Sequence, residues 1–519
     1  MSMKNAVGRE VPDYIDGYGE VRHYRGAFAQ SGKKTGYAKA VVPHSAEKGV
    51  AKVLADIEEA LDRVGLRDGM TVSFHHHLRN GDYVTNLVML AIAKRGIRDI
   101  HVAASGLFAC HEPLVALVED GTITQISVST FGPGALAKAV SAGKMAKPVI
   151  LRTHGGRARA IESGELHINV AFIAAPCCDA QGNMNGSHGP SACGCLSYCY
   201  ADAKYADHVV AITDCLTEYP CCPAEITENF VDYVVKVDSI GDPNGIVSGA
   251  MKVTTDEEKL SIAQQAVDML DQAGYIHEGM SFQTGIGGIS LAVAAKLRDK
   301  MLEKGVKGSF GSGGIHGYFV KMLEEGLLKC LWDVQCFDLD AIDNLAKNDP
   351  RHMIMSASQY GSPANKGCVV NQLDIIILGG LEVDTDFNLN VITGSNGIIM
   401  SAAGGNPDTA AGSRISVVVS NLMKKGPTCL VKESVSTVTT PGETVDAVVT
   451  DYGIAINPRR TDLLEALKDR GLPIVDIHAL AKTGEELGGI SYHPRFTDRI
   501  VGVVEYRDGT VIDVVRQVI

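Results

Sequence analysis

A constant offset between two halves of the chain constrains its fold more than any other feature. Asp179, Asn183 and Asn185, in "CCDAQGNMNG", recur 205 residues later as Asp384, Asn388 and Asn390 in "EVDTDFNLN". "LVALVEDGTI", beginning at Leu114, has its counterpart in "FVKMLEEGLL" at Phe319, with the same offset. Upstream, two amphipathic stretches each end in Asp-x-x-Gly, at Asp62 and Asp271. Each is followed by Gly-Met and an apolar run, "GMTVSF" from Gly69 and "GMSF" from Gly279. Two matches at the same offset, joined by a helix-to-strand match at a slightly longer one, point to a duplicated unit rather than to two unrelated domains.

Each half reads as a helix, a buried strand, a polar or Gly-rich loop, and then alternating strands and helices. "NVAFIAA" and "DIIILGG" are continuous apolar runs. Such runs belong to central strands covered on both faces. The fold class is therefore α/β, with two duplicated, open and mostly parallel units. The expected division is a surface arm over residues 1–45, a first unit over 46–245 and a second over 246–519. Residues 239–249 read as the linker. The last strands, around Asp508-Gly509, read as a hairpin of the second unit. The first helix is expected to start at Ser45 and to present Val50, Val53, Leu54, Ile57, Leu61 and Val64 on one face. The helix opening the second unit is expected to carry a capping box of Thr255 and Glu258.

Charge narrows the partners. A formal charge of -13 over 519 residues argues against nucleic acid and anionic membrane. A small anion remains possible where positive charge is concentrated. The N-terminus has no secretory apolar region, and no run of about 18 apolar residues occurs, so the cytoplasm is expected. Eight of the thirteen cysteines lie between Cys177 and Cys222. Their spacing is not that of paired zinc knuckles, and they read as buried thiols without a metal.

In parallel sheets, ligands bind beyond the carboxyl ends of the strands. There the two halves carry different chemistry. "HHHLRNGD" in the first half offers His75, His76, His77, Arg79 and Asn80. "RTHGGRARA" adds His154 and Arg157, and "GNMNGSHGPS" adds Asn183 and His188. Arginine suits bidentate carboxylate binding, so this side is expected to hold a polar anion. A histidine metal site and a solvated strand end are the rival readings of the same loop. The equivalent loop of the second half, "QTGIGGIS", has Gly285, Gly287 and Gly288 before a helix. It is joined by "FGSGGIHG", with Gly313, Gly314 and His316, and by "SAAGGNPDTAAGS", with Gly404, Gly405 and Asn406. Bare backbone admits close approach and can supply N–H donors to an oxyanion.

At these residues the sequence resembles the CoA-transferase superfamily. "GGLEVDTDFNLNV" and "AAGGNPDTAAGS" look like its Gly-x-x-x-Val-Asp segment and its Gly-Gly-x-x-Asp loop. "FQTGIGGIS" looks like its first Gly-rich loop, and "VAFIAAPCCDAQGNMNG" like the matching segment of its other half. With "DYIDGYGEVRHYRGAFA" and "HHHLRNGDYV", the chain is similar to the citrate lyase alpha-subunit branch of that superfamily.

The resemblance implies a citrate CoA-transferase. It would move a thiol carrier from an acetyl-thioester to citrate, giving a citryl-thioester and acetate. It implies no tightly bound cofactor. CoA, or a CoA-like group on an acyl carrier protein, is a substrate. It also implies acyl carrier (gamma) and citryl lyase (beta) partner subunits and a homo-oligomer. The first-half residues named above would bind citrate. Gly285, Gly287, Gly288, His316, Asn388 and Asn406 would bind the thioester, and Gly313, Gly314, Gly404 and Gly405 would serve the oxyanion.

One departure from the superfamily matters. Ping-pong members place a catalytic Glu where this chain has "GSGG", and no Glu occurs between Lys307 and Leu323. A direct attack by citrate in a ternary complex is therefore expected. The alternatives are a glutamyl-thioester enzyme or acetyl-CoA hydrolase, in which Glu382 would be the candidate nucleophile, and a sugar-phosphate isomerase-like protein of the same fold.

Overall fold

The computed structural model describes residues 2–29, 51–247, 254–285, 287–424, 428–488 and 494–519. The first half contains strands β1 (Val53–Leu54), β2 (Thr71–Phe74), β3 (Ile100–Ala104), β4 (Ile123–Val128), β5 (Val149–Leu151) and β6 (Val170–Ala175). It continues with β7 (Cys177–Asp179), β8 (Met184–Asn185), β9 (His208–Thr213), β10 (Leu216–Thr217) and β11 (Tyr233–Lys236). The second half repeats the pattern: β12 (Phe282–Thr284), β13 (Gly308–Ile315), β14 (Leu328–Cys336), β15 (His352–Ile354) and β16 (Ile375–Leu378). After these come β17 (Glu382–Asp384), β18 (Leu389–Asn390), β19 (Ile415–Val419), β20 (Val431–Lys432), β21 (Ala447–Thr450) and β22 (Gly453–Ile456).

The spatial orders coincide over seven strands; the eighth differs, β1 lying parallel to β11 and β22 antiparallel to β21. The first sheet runs β5-β4-β3-β2-β6-β9-β11-β1, and the second β15-β14-β13-β12-β16-β19-β21-β22. Each half also carries a three-stranded sheet, β8-β7-β10 or β18-β17-β20. The repeated Asp and Asn residues explain themselves there. Asp179 accepts from the Asn183 N–H at 3.1 Å, and Asp384 from the Asn388 N–H at 2.8 Å. Each carboxylate closes a turn that brings the second strand back antiparallel to the first. The duplication read from the offset is thus a duplication of topology. The central strands β6 and β16 are buried almost throughout, as their unbroken apolar sequences require.

Three local expectations are corrected. Val53 and Leu54 form β1 beside β11, so the first helix is only α1 (Ile57–Arg63), and Asp56 caps it by accepting from the Glu59 N–H. Ser45 lies outside the described residues. The helix that opens the second half, α4 in chain order, spans Glu257–Gln272 and is capped by Asp256 rather than Thr255. Between them lie α2 (Val84–Lys94) and α3 (His154–Glu162), and beyond them α5 (Gly288–Lys304) and α6 (Asn406–Gly412).

The third correction is topological. The C-terminal hairpin, β23 (Phe496–Glu505) and β24 (Val511–Val518), was expected in the second unit. It extends the first sheet instead, with β23 parallel to β5 through Gly502, Val503 and Val504. The N-terminal residues lie over this hairpin. Arg9 pairs with Asp513 at 2.8 Å, and its guanidinium also donates to the Val435 and Ser436 carbonyls. Residues 240–246, within the stretch read as a linker, pack on the loop after β2: Gly81 comes so close that a Cβ there would stand 1.9 Å from the Asp242 carbonyl oxygen.

Candidate active site

The loops that follow equivalent strands of the two sheets converge on one cavity of about 310 Å³. The first half contributes His76, Arg79, Thr130, His154 and Tyr198. The second contributes residues 283–285, Gly314, Gln335, Phe337, Tyr360 and residues 401–406, among others. None of the residues lining it is an Asp or a Glu.

Extended backbone sends successive side chains to opposite sides, and this sorts the three histidines. His75 and His77 stack on one side, with ring centroids 6.0 Å apart. His75 lies 3.2 Å from Asp202, which Arg157 grips through two bonds of 2.9 and 2.7 Å. Burial, with His75 adding to it, pushes His77 down to about 3. His75, His77 and Arg157 build the core under the site and do not line the cavity, which corrects their expected role. His76 points the other way, into the cavity. Its ring Nδ1 lies 2.6 Å from Ser105 Oγ.

Arg79 has φ +53°, a left-handed conformation that costs a non-glycine residue roughly 1–3 kcal/mol. The turn places its guanidinium 5.3 Å from the ring centroids of both Phe108 and Phe337, one from each half. Among the described residues no carboxylate forms a salt bridge with it. Burial pulls its pKa down, yet a guanidinium stays charged. A partly buried cation without a counter-ion is unfavourable, so the site favours an anionic ligand. His154 lies across the cavity from Arg79's loop, with its Nδ1 3.0 Å from Ser129 Oγ. Burial, then Arg157 and Arg79, pushes His154 down to about 3, and burial with His154, His77 and Arg79 likewise depresses His76. Tyr198 packs against both rings, at 4.6 and 5.0 Å.

The opposite wall carries Gly285, Gly314, Gly379, Gly404 and Gly405 among larger side chains such as Phe337, Tyr360 and Leu378. A Cβ on Gly314 would sit 1.7 Å from the Phe337 ring, and one on Gly405 would sit 2.4 Å from Tyr360 Oη, so packing requires glycine at both. Gly285 is different, because a Cβ there meets nothing closer than Ser290 Oγ at 3.5 Å. The walls are stitched together. Gln335 donates to the His76 carbonyl at 3.2 Å, and the His154 N–H to the Gly404 carbonyl at 2.9 Å. Asp408, on α6, accepts from Thr153 Oγ1 at 2.8 Å and the Gly155 N–H at 2.9 Å. Burial pushes its carboxyl up to about 6, against the opposing pull of Arg507 and those donors.

The sequence profile of citrate lyase, alpha subunit, matches residues 50–518. The chain belongs to this family. It is 47% identical to the citrate lyase alpha chain of Klebsiella pneumoniae over 472 residues, covering 91% of this chain and 92% of that one. It is 46% identical to the citrate lyase alpha chain of Escherichia coli (strain K12), covering 90% and 91%. A crystal structure of the putative alpha subunit of citrate lyase from Streptococcus mutans, in complex with citrate, has a TM-score of 0.94 at 45% identity. It covers 99% of this chain and 100% of that chain. A malonate decarboxylase alpha subunit from Acinetobacter baumannii shares the fold, with a TM-score of 0.62 at 15% identity over 84% of this chain and 88% of that one.

Within this citrate lyase alpha-subunit fold, His76, Arg79, His154, Gly285, Gly314, Gly404, Gly405 and Asn406 line the cavity. The Gly404 N–H is bonded to the Ser129 carbonyl at 3.0 Å and is not free for an oxyanion. Gly313, with φ +94°, sits in β13 against Gln283 and outside the lining. Gly287 caps α5 and Gly288 opens it, just beyond the lining residue Gly285. His316 precedes the helix Gly317–Glu324, and burial holds it near 4. Asn80 is exposed. Asn183, bonded to Asp179 and Glu228, and His188, bonded to Asn185, belong to the small sheet of the first half. Asn388 is their counterpart in the second half, bonded to Asp384.

Glu382 is not at the cavity. Lys432 sits 2.5 Å from its carboxylate, and Asn390, Ser395 and Ser436 donate to it. Burial opposes ionisation there, but Lys432 and the Ser436 N–H hold the carboxyl below its ordinary value. Tyr198, Gln335, Phe337 and Tyr360 line the cavity and were missed in the sequence. Tyr198 lies inside "CGCLSYC", a segment whose sequence is marked by its thiols. The described residues contain no group of three His, Cys, Asp or Glu side chains arranged to hold a metal.

Proposed function

We propose that this cavity is the site of a citrate CoA-transferase, in which citrate attacks an acetyl-thioester directly. One observation carries the reading. A guanidinium without a carboxylate partner among the described residues faces a wall that carries several glycines, in a cavity whose described lining includes no Asp or Glu. Arg79, His76, Tyr198 and Thr130 would hold citrate, and Gly285, Gly405 and Asn406 would border the pantetheine-like arm.

A citrate carboxylate oxygen adds to the acetyl carbonyl, and the thiolate leaves to give an acetyl-citryl anhydride. The thiolate then adds to the citryl carbonyl, and acetate departs. Thioester exchange is nearly isoenergetic, so the protein has chiefly to align the partners and stabilise the two tetrahedral oxyanions. The backbone of Gly314 and Gly405, which borders the cavity, would supply that stabilisation. CoA, or a carrier-borne CoA-like group, acts as substrate rather than as resident cofactor. The carrier and citryl lyase subunits are the expected partners, in a homo-oligomeric assembly.

The test is exchange between acetyl-CoA and citrate, with citramalate and acetate as competitors. Intersecting double-reciprocal lines are expected, with every Glu unmodified after acetyl-CoA and borohydride. Parallel lines with Glu382 reduced would replace this mechanism by a glutamyl-thioester one.

A further inference from the structure

The two histidines that line the cavity carry their ring protons on different nitrogens. Ser129 Oγ lies 2.8 Å from the Ser105 carbonyl oxygen. Two oxygens that close need a proton between them, and only the hydroxyl has one. Toward His154 Nδ1, 3.0 Å away, Ser129 Oγ must therefore accept. His154 is the Nδ1–H tautomer, and its Nε2 carries a bare lone pair. That atom faces the Gly404 loop, where a Cβ on Gly404 would come within 3.9 Å of it.

His76 is wired the other way. The Ser105 hydroxyl already accepts from the His76 N–H at 3.0 Å, and its own proton has the His76 Nδ1 as its partner at 2.6 Å. His76 therefore keeps its proton on Nε2. A neutral His76 can donate to a carboxylate, whereas a neutral His154 can only repel one.

We infer that His154 is the proton-accepting residue of the substrate site: when a polycarboxylate binds, one proton is taken up from solution and held between His154 Nε2 and a ligand carboxylate. This rests on the reading that citrate occupies the cavity. The groups around His154 fit the role. Burial, then Arg157 and Arg79, keeps it neutral in the free protein, near 3. Arg157 is neutralised by Asp202, whereas Arg79 is not. Tyr198 and Tyr360 pack against the ring, and burial raises both phenols, so both stay protonated. Asp408 bonds to Thr153 and Gly155, the residues flanking His154, and Arg507 lies 3.6 Å from Asp408. His76, at 6.0 Å, is neutral. No fixed anion at the cavity protonates His154 in advance, so the ligand must bring the negative charge. One charge at contact distance in such a site moves a pKa by about 3, and citrate carries more than one.

The experiment is calorimetric titration of the whole protein with citrate, in buffers of different ionisation enthalpy, above citrate's own ionisations. About one proton taken up per citrate is expected, with affinity falling about tenfold per pH unit as pH rises. His154→Gln should bind citrate more weakly and lose the uptake, while His76→Gln should keep it. Citrate binding without proton uptake in the wild-type protein, or uptake undiminished in a folded His154→Gln variant, overturns the inference and leaves the citrate reading standing. No citrate binding in any buffer removes both.

Discussion

The loop after β2 and the loop after β12 occupy the same place in two copies of one topology, yet they have opposite chemistry. The first is crowded with side chains, with a left-handed Arg79 wedged between aromatic rings and three histidines sorted to two sides of the strand end. The second is nearly bare, and at Gly285 it has room for a methyl group that it does not carry. Duplication preserved the turn that delivers a loop to the strand end and left its contents free to diverge. Under the proposed function, one copy would meet a small polyanion through charge, and the other a long thioester arm through shape. A cavity between unlike copies would then serve two substrates at once, which neither copy could do facing its own image.

The comparison breaks first at the position where the halves carry Cys177 and Glu382, each opening its small three-stranded sheet. Glu382→Ala leaves Lys432 without its buried partner and should cost about 3–5 kcal/mol of stability. Denaturant unfolding would measure this, and a loss below about 1 kcal/mol would mean the pair is not structural. Next in size is the contrast between the two loops themselves. Arg79→Ala should raise the apparent citrate constant roughly ten- to a hundredfold and leave the acetyl-thioester constant nearly unchanged. Gly285→Ala should do the reverse, raising the thioester constant by about 1 kcal/mol with the melting temperature unaltered, because the added methyl fits the fold but enters the slot. Equal effects on both substrates from either variant would dissolve the division of labour. The smallest effect belongs to Asn80→Ala. Exposed beside Arg79, it should change stability and citrate dependence by less than about 0.5 kcal/mol.

The duplication was legible in the sequence because turn chemistry is local: an Asp closing its own turn at Asp179 must be an Asp again at Asp384 if the turn is kept. The central strands were legible for a similar reason, since burial on both faces leaves a continuous apolar run. The site was legible as a set of loops but not residue by residue. "HHHLRNGD" names three histidines, and only the alternation of an extended strand end selects His76. Tyr198 and Gln335 reach the cavity from segments whose sequence carries no sign of it, because their convergence exists only once both sheets are built. The pairing of β23 with β5 was invisible for the same reason, as a hairpin records its own turn but not the sheet it will join.

That hairpin has a consequence for how the molecule can be made. The first sheet to leave the ribosome cannot acquire β23 and β24 at its edge until the whole sheet of the second half has been synthesised. Until then β5 presents an open edge, and the cleft lacks Arg507, which braces Asp408 behind it. Arg9 and Asp513 then fasten two segments far apart in sequence to one another, like a clasp. A polypeptide interrupted anywhere in the second half therefore leaves the first half unfinished as well, and the earliest-made domain is among the last to mature.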